Sequence, residues 1–173
     1  MKLFEPGRIG QMVTKSRIAM CPMATGLADP GGGFSRRLID YYVARAKGGT
    51  GLIITGRSPV NTILEPVDPT WRQTWIDSFG HLGRLSELCD TVHRYRAKIA
   101  IQLSPGMGRV GFPSPNAPQP VSASAVPCFW DPSVRTRELT IEEIEMLVRA
   151  CGTAAGFVKA AASDAYFTPP GEK

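Results

Sequence analysis

The chain has 173 residues, 43% of them hydrophobic and 20% charged, with a mean hydropathy of −0.08, so it can build one core and is too short for two full-sized domains. Twenty Lys and Arg against fifteen Asp and Glu leave +5 at neutral pH, spread without a long like-charge run, which argues against nucleic-acid binding and is compatible with a phosphate-bearing ligand. The 18 glycines and 15 prolines follow no period, which excludes a fibrous chain.

Arg8-Ile9-Gly10-Gln11 and Val13-Thr14-Lys15 can pair as a small hairpin, although no Asn-Gly or Asp-Gly turn joins them. Arg17-Ile18-Ala19-Met20-Cys21 is a short apolar run stopped by Pro22, which predicts a buried strand and then a loop through Gly26, Pro30 and Gly31-Gly32-Gly33. A helix follows: Ser35 is its N-cap, Leu38, Tyr42 and Ala46 recur at helical spacing, and Gly48-Gly49 supplies the stop. Gly51-Leu52-Ile53-Ile54-Thr55-Gly56 is the clearest strand.

Beyond a loop rich in Pro and Asp, Leu82, Leu85, Cys89 and Val92 form the stripe of a second helix. His81 and His93 lie on or beside it among Arg and Asp and read as solvated surface residues, while Tyr41 and Tyr42 of the first helix read as core and boundary residues. Lys98 opens a strand, Ile99-Ala100-Ile101-Gln102-Leu103, and seven of the fifteen prolines then fall between Pro105 and Pro132, which excludes a helix there. Gly106-Met107-Gly108-Arg109-Val110-Gly111 matches the dinucleotide fingerprint with Asp131 downstream, but Phe112-Pro113-Ser114-Pro115 prevents the helix whose N-terminus must take the pyrophosphate.

Thr140-Ile141-Glu142-Glu143 is a capping box opening a third helix, whose apolar positions Ile141, Ile144, Leu147/Val148, Cys151, Ala154/Ala155 and Val158 continue for about five turns. Ser163-Asp164-Ala165-Tyr166-Phe167 begins a fourth strand, ended by Pro169-Pro170-Gly171. Strands that are apolar on both faces and alternate with helices predict an α/β fold with a buried parallel sheet. The four cysteines lack metal-ligand spacing and suit a reduced, cytoplasmic interior, and no stretch approaches the roughly eighteen apolar residues of a membrane helix.

In such folds ligands lie at the carboxyl ends of the strands. Those ends read Cys21-Pro22-Met23-Ala24-Thr25-Gly26, Thr55-Gly56-Arg57-Ser58 and Gln102-Leu103-Ser104-Pro105-Gly106. Small residues and one amide suit a flat polar heterocycle; ordinary loop chemistry is the alternative reading.

At these positions the sequence resembles a known family. Leu3-Phe4-Glu5-Pro6-Gly7-Arg8-Ile9-Gly10, Lys15 to Met23, Tyr41-Tyr42-Val43-Ala44-Arg45-Ala46-Lys47-Gly48-Gly49, Leu52-Ile53-Ile54-Thr55, Val121 to Ala125 and Leu139 to Ile144 are similar to the amino-terminal half of the old yellow enzyme family. The likeness is to its NADH:flavin oxidoreductase branch, which includes 2,4-dienoyl-CoA reductase, 2-enoate reductase and the bile-acid-inducible reductases, and it covers residues 1 to about 165.

The resemblance implies a (β/α)₈ TIM-barrel type fold with FMN at the carboxyl ends of the strands and reduction of an activated C=C bond in a small enone or enoate, with NADH or NADPH as reductant. By position, Pro22, Met23 and Ala24 correspond to a backbone cradle beside the flavin ring, Gly56 to a second-strand contact and Gln102 to the amide on its pyrimidine edge. Ala24 replaces the Thr, Cys or His common there, and Pro105 and Gly106 depart from a His-x-Gly-Arg pattern of which Gly108-Arg109 survives.

Since such a barrel usually takes roughly 250 residues, residues 1–173 are expected to form the first three to four βα units, a half-barrel with a tail that diverges from about residue 166. Tyr166-Phe167-Thr168-Pro169-Pro170 stands where the family carries the groups that bind the substrate carbonyl and deliver a proton, so no catalytic residue is assigned. The phosphate-gripping strands, the iron–sulfur cysteines and the dinucleotide domains of longer members have no counterpart, so no iron–sulfur cluster is expected in this chain. The alternative to an active ene-reductase is a truncated, inactive fragment, self-associating through open sheet edges. A self-sufficient flavodoxin-like domain fits three strands poorly.

Overall fold

A computed structural model describes residues 1–113 and 119–167. In chain order the strands and helices are β1 (Gly7–Ile9), β2 (Met12–Thr14), β3 (Ala19–Met20), α1 (Arg36–Lys47), β4 (Leu52–Ile54), β5 (Ser58–Pro59), α2 (Leu82–His93), β6 (Lys98–Ser104), β7 (Val121–Ser122), β8 (Arg137–Glu138), α3 (Ile141–Ala160) and β9 (Ala165–Phe167). β1 and β2 form the expected antiparallel hairpin, turned at Gly10, whose φ of 58° suits glycine.

The main sheet is parallel. β3 pairs with β4, β4 with β6, and β9 lies on the far side of β6. The short β5 continues the path of β4 and pairs Ser58 and Pro59 with Leu103 and Ser104 at the carboxyl end of β6. Spatial order therefore follows chain order, as in a barrel wall that advances one βα unit at a time.

The helices decide which side of each strand is core. Leu38, Ile39 and Tyr42 of α1, Leu85, Leu88 and Val92 of α2, and Ala154 and Val158 of α3 pack in one cluster with Ile53, Ile99, Ile101 and Leu103 of the sheet. Leu52, Ala100 and Gln102 alternate with those strand positions and lie outside the cluster, as the period of two requires. Ser35 caps α1 by accepting from the Leu38 N–H at 3.1 Å, and Gly49, at φ 105°, takes the left-handed position after it. Thr140 and Glu143 make both bonds of the capping box on α3.

Several expectations are corrected. Ile141 and Val148 are each 67% exposed, and burial on α3 falls on Leu147, Ala154 and Val158; Val148 sits about 100° round the helix from Leu147 and leaves the core face. His93 is not a free surface residue: its Nε2 lies 2.6 Å from Asp164 Oδ2. His81 packs edge-on to Trp75, 3.3 Å from Asp77. β5 and the parallel β7–β8 pair were not anticipated, because two-residue strands have no readable period. Ser114 and Pro115 of the discounted fingerprint, and the predicted stop at Pro169-Pro170-Gly171, lie outside the described residues. No helix among the described residues is long and apolar enough to cross a membrane.

Candidate functional site

The parallel ladders bring the carboxyl ends of β3, β4 and β6 to one edge of the sheet. Pro22, Met23 and Ala24 follow β3 and are exposed. Gly56 follows β4 and is buried against them: a Cβ there would stand 2.5 Å from the Met23 carbonyl oxygen and 3.5 Å from the Ala24 nitrogen. Glycine is required because two backbones touch, and the contact places the first two strand ends side by side. The Gly56 N–H donates to the Tyr42 hydroxyl at 3.0 Å, so the core face of α1 holds this turn from behind.

Gln102 is half-buried near the end of β6, and its N–H donates to the buried Thr55 Oγ1 at 3.2 Å, which ties the third strand end to the second. Its carboxamide makes no hydrogen bond among the described residues, which leaves one donor and one acceptor group available at this edge. Met23, Ala24 and Gly56 are thus in contact, with Pro22 next in chain and Gln102 joined through Thr55.

Sequence reasoning missed the polar bracket beside them. Arg57 donates to Ser104 Oγ at 3.1 Å, Gln73 Oε1 at 3.1 Å and Glu65 Oε2 at 3.0 Å, and Glu65 Oε2 also accepts the Met107 N–H at 2.8 Å. Burial raises the Glu65 carboxyl above its ordinary range, Arg57 and the Met107 N–H only partly opposing it, and burial likewise lowers the Arg57 guanidinium. The pair locks the loops after β5 and β6 together. No period or motif marks it; the one available signal is the charged Arg57 directly after the strand-end glycine.

The Gly106 to Gly111 segment bears out the rejection of a dinucleotide fingerprint, since Gly108–Val110 is a three-residue 3₁₀ turn and opens no α-helix. What the edge offers is a strip of exposed backbone, a glycine contact and a spare amide, fit for the rim of a flat heterocycle.

The model of the NADH:flavin oxidoreductase / NADH oxidase family matches residues 2–166. Cinnamate reductase of Clostridium sporogenes is 40% identical over 164 residues, covering 94% of this chain and 25% of that protein. NADH oxidase of Thermoanaerobacter brockii is 42% identical over 163 residues, covering 94% and 24%. The crystal structure of Old Yellow Enzyme from Pichia sp. AKU4542 superposes with a TM-score of 0.80 at 19% identity, over 96% of this chain and 45% of that one, a likeness of fold. The chain thus spans about a quarter of the length of these two curated relatives, and its sheet is part of a TIM-barrel wall.

Proposed function

The chain belongs to the NADH:flavin oxidoreductase / NADH oxidase family, and from that premise we propose that it contributes the flavin-ring edge of an FMN-dependent, ene-reductase type site. FMN, when bound, supplies two-electron redox chemistry toward an electron-poor C=C bond, with NADH or NADPH as reductant. Enones and enoates are the substrate class; the relative named cinnamate reductase supports an aryl enoate.

The observation that carries the reading is the spare Gln102 carboxamide at the carboxyl edge, in line with the exposed Pro22-Met23-Ala24 backbone and Gly56. Gln102 would hold the pyrimidine edge, donating and accepting at once. Pro22, Met23 and Ala24 would lie along the ring, Met23 covering it with an apolar side chain. Thr55 fixes the Gln102 backbone, and the Arg57–Glu65 bracket keeps the mouth in shape.

Titration of the purified chain with FMN, followed by quenching of flavin fluorescence, tests this. Saturable binding weakened about tenfold by Gln102→Ala is expected, the equivalent of about 1.4 kcal/mol for one lost bidentate contact. Absence of saturable binding, or an unchanged Gln102→Ala affinity, overturns it. The second reading, a fragment that holds flavin without turnover, draws on the quarter share of its relatives that the chain spans; NADH consumption coupled to loss of an enone decides between the two.

A further inference from the structure

Four aromatic side chains lie together on the surface of the loops above the strand ends. Trp71 is 43% exposed, Phe112 41%, Phe129 54% and Trp130 57%. The Phe112 and Trp130 rings stack at 5.3 Å and 10°, while Trp71 meets Phe112 edge-on at 5.2 Å and Phe129 meets Trp130 edge-on at 4.8 Å. A contiguous exposed aromatic surface on a folded chain marks a place of binding.

The surface is held rigid. Trp130 Nε1–H donates to the Val110 carbonyl at 3.0 Å, and the Phe129 N–H donates to the Arg109 carbonyl at 2.7 Å. Trp71 is anchored through its neighbour, since Arg72 and Ala28 exchange bonds at 2.9 Å, clipping the loop after β5 to the loop after β3. Phe112 and Trp130 belong to the segment that follows β6. The loops after β5 and β6 thus supply the aromatic wall, and the loop after β3 is clipped beside it at Arg72. The cavity lined by Arg57, Met107, Trp71 and Phe112 is about 30 Å³, too small for an arene, so a ligand meets the exposed faces of the rings.

The wall carries charge at one end. The Arg109 guanidinium lies 5.8 Å from the Phe129 ring centroid and takes part in no ion pair among the described residues. An aromatic platform ended by a planar cation complements a flat arene that bears a carboxylate: the arene stacks, and the guanidinium takes the oxygens.

We propose that Trp71, Phe112 and Trp130, with Arg109, form a subsite that selects aryl-substituted acids at the rim of the flavin edge. This rests on the ene-reductase reading for its purpose, while the binding is independent of flavin.

Ligand-observed NMR titration of the full chain with sodium cinnamate tests it, with sodium crotonate as the aliphatic comparison and cinnamyl alcohol as the neutral one. Cinnamate should bind at least tenfold more tightly than crotonate. Trp71→Leu and Trp130→Leu should each weaken cinnamate about fivefold, and Arg109→Gln should weaken cinnamate by a similar factor while leaving cinnamyl alcohol unchanged. Circular dichroism on each variant checks that the fold survives; should Trp130→Leu unfold the chain, Arg109→Gln still decides through the acid-against-alcohol comparison. Equal binding of cinnamate and crotonate, or no response to Arg109→Gln, overturns the proposal. So does a patch that binds no cinnamate while Trp71→Leu turns a dimer into a monomer in sedimentation, which would make it a protein interface. FMN titration in parallel separates the two claims: saturable cinnamate binding with no saturable FMN binding removes the flavin reading and keeps the subsite, and saturable FMN binding with no cinnamate binding removes the subsite alone.

Discussion

Tyr42 links core and site at the scale of a single side chain. Its ring fills the α1 face of the core at 2% exposure, and its hydroxyl accepts the Gly56 N–H. Tyr42→Phe keeps the ring and strands a buried N–H, which should cost about 1–2 kcal/mol, read as a lower urea midpoint at pH 7. Burial pushes the phenol up to about 12, against an ordinary value of 10.0. Between those two pH values the folded chain keeps a proton that the unfolded chain has lost, so stability falls as pH rises through that window and the slope ends above it. Tyr42→Phe should lack that slope, which a pH series of urea melts will show. The Ser35 cap and the ends of the strands before Pro22, at Gly56 and at Gln102 were legible from residue type and neighbours, while the flavin-contact roles of Pro22, Met23, Ala24, Gly56 and Gln102 came from the family resemblance. Arg57 and Glu65 were not: eight residues apart in an aperiodic loop, they meet only because β5 and the segment after β6 set their backbones.

Among the elements, α3 owes its start to two residues. Thr140 accepts the Glu143 N–H and Glu143 accepts the Thr140 N–H, while Arg137 donates twice to Glu143 at 2.8 and 2.9 Å. Those bonds join β8 to the helix start and draw the Glu143 carboxyl below its ordinary range, Arg137 leading and the Thr140 N–H second. Thr140→Ala should lower stability by about 1 kcal/mol in a denaturant melt, with α3 amides showing the largest loss of hydrogen-exchange protection. α1 and α3 were read from caps and apolar spacing and α2 from spacing alone, all local signals. Which apolar residues of α3 are buried was not, since Leu147 and Val148 are equally hydrophobic and only the position of the sheet chooses between them.

For the molecule as a whole, one carboxylate ties three parts of the fold. Asp164, immediately before β9, accepts from His93 of α2, Lys98 Nζ at 2.7 Å and the Ile99 N–H at 2.9 Å of β6, and its own N–H donates to the Ile99 carbonyl. Burial raises its carboxyl, but the three donors together outweigh that and leave it below the ordinary carboxylate range. Its contribution is therefore complete above the unfolded value of about 3.9 and is lost as pH falls through the lower folded value. Asp164→Asn should cost about 2 kcal/mol at pH 7 and flatten the acid limb of the stability profile below about pH 4, as followed by circular dichroism. By itself the sequence determined the helices, the parallel strands β3, β4, β6 and β9 and the residues at their carboxyl edge, because caps, periods and glycine positions act over a few residues along the chain. Only the tertiary structure decided the Arg57–Glu65 bracket, the Asp164 tie and the aromatic wall, because each joins loops whose relative places are set by the sheet that carries them. The 173 residues, at first a measure of size, thereby resolve into a wall of parallel strands whose carboxyl edge carries the candidate chemistry.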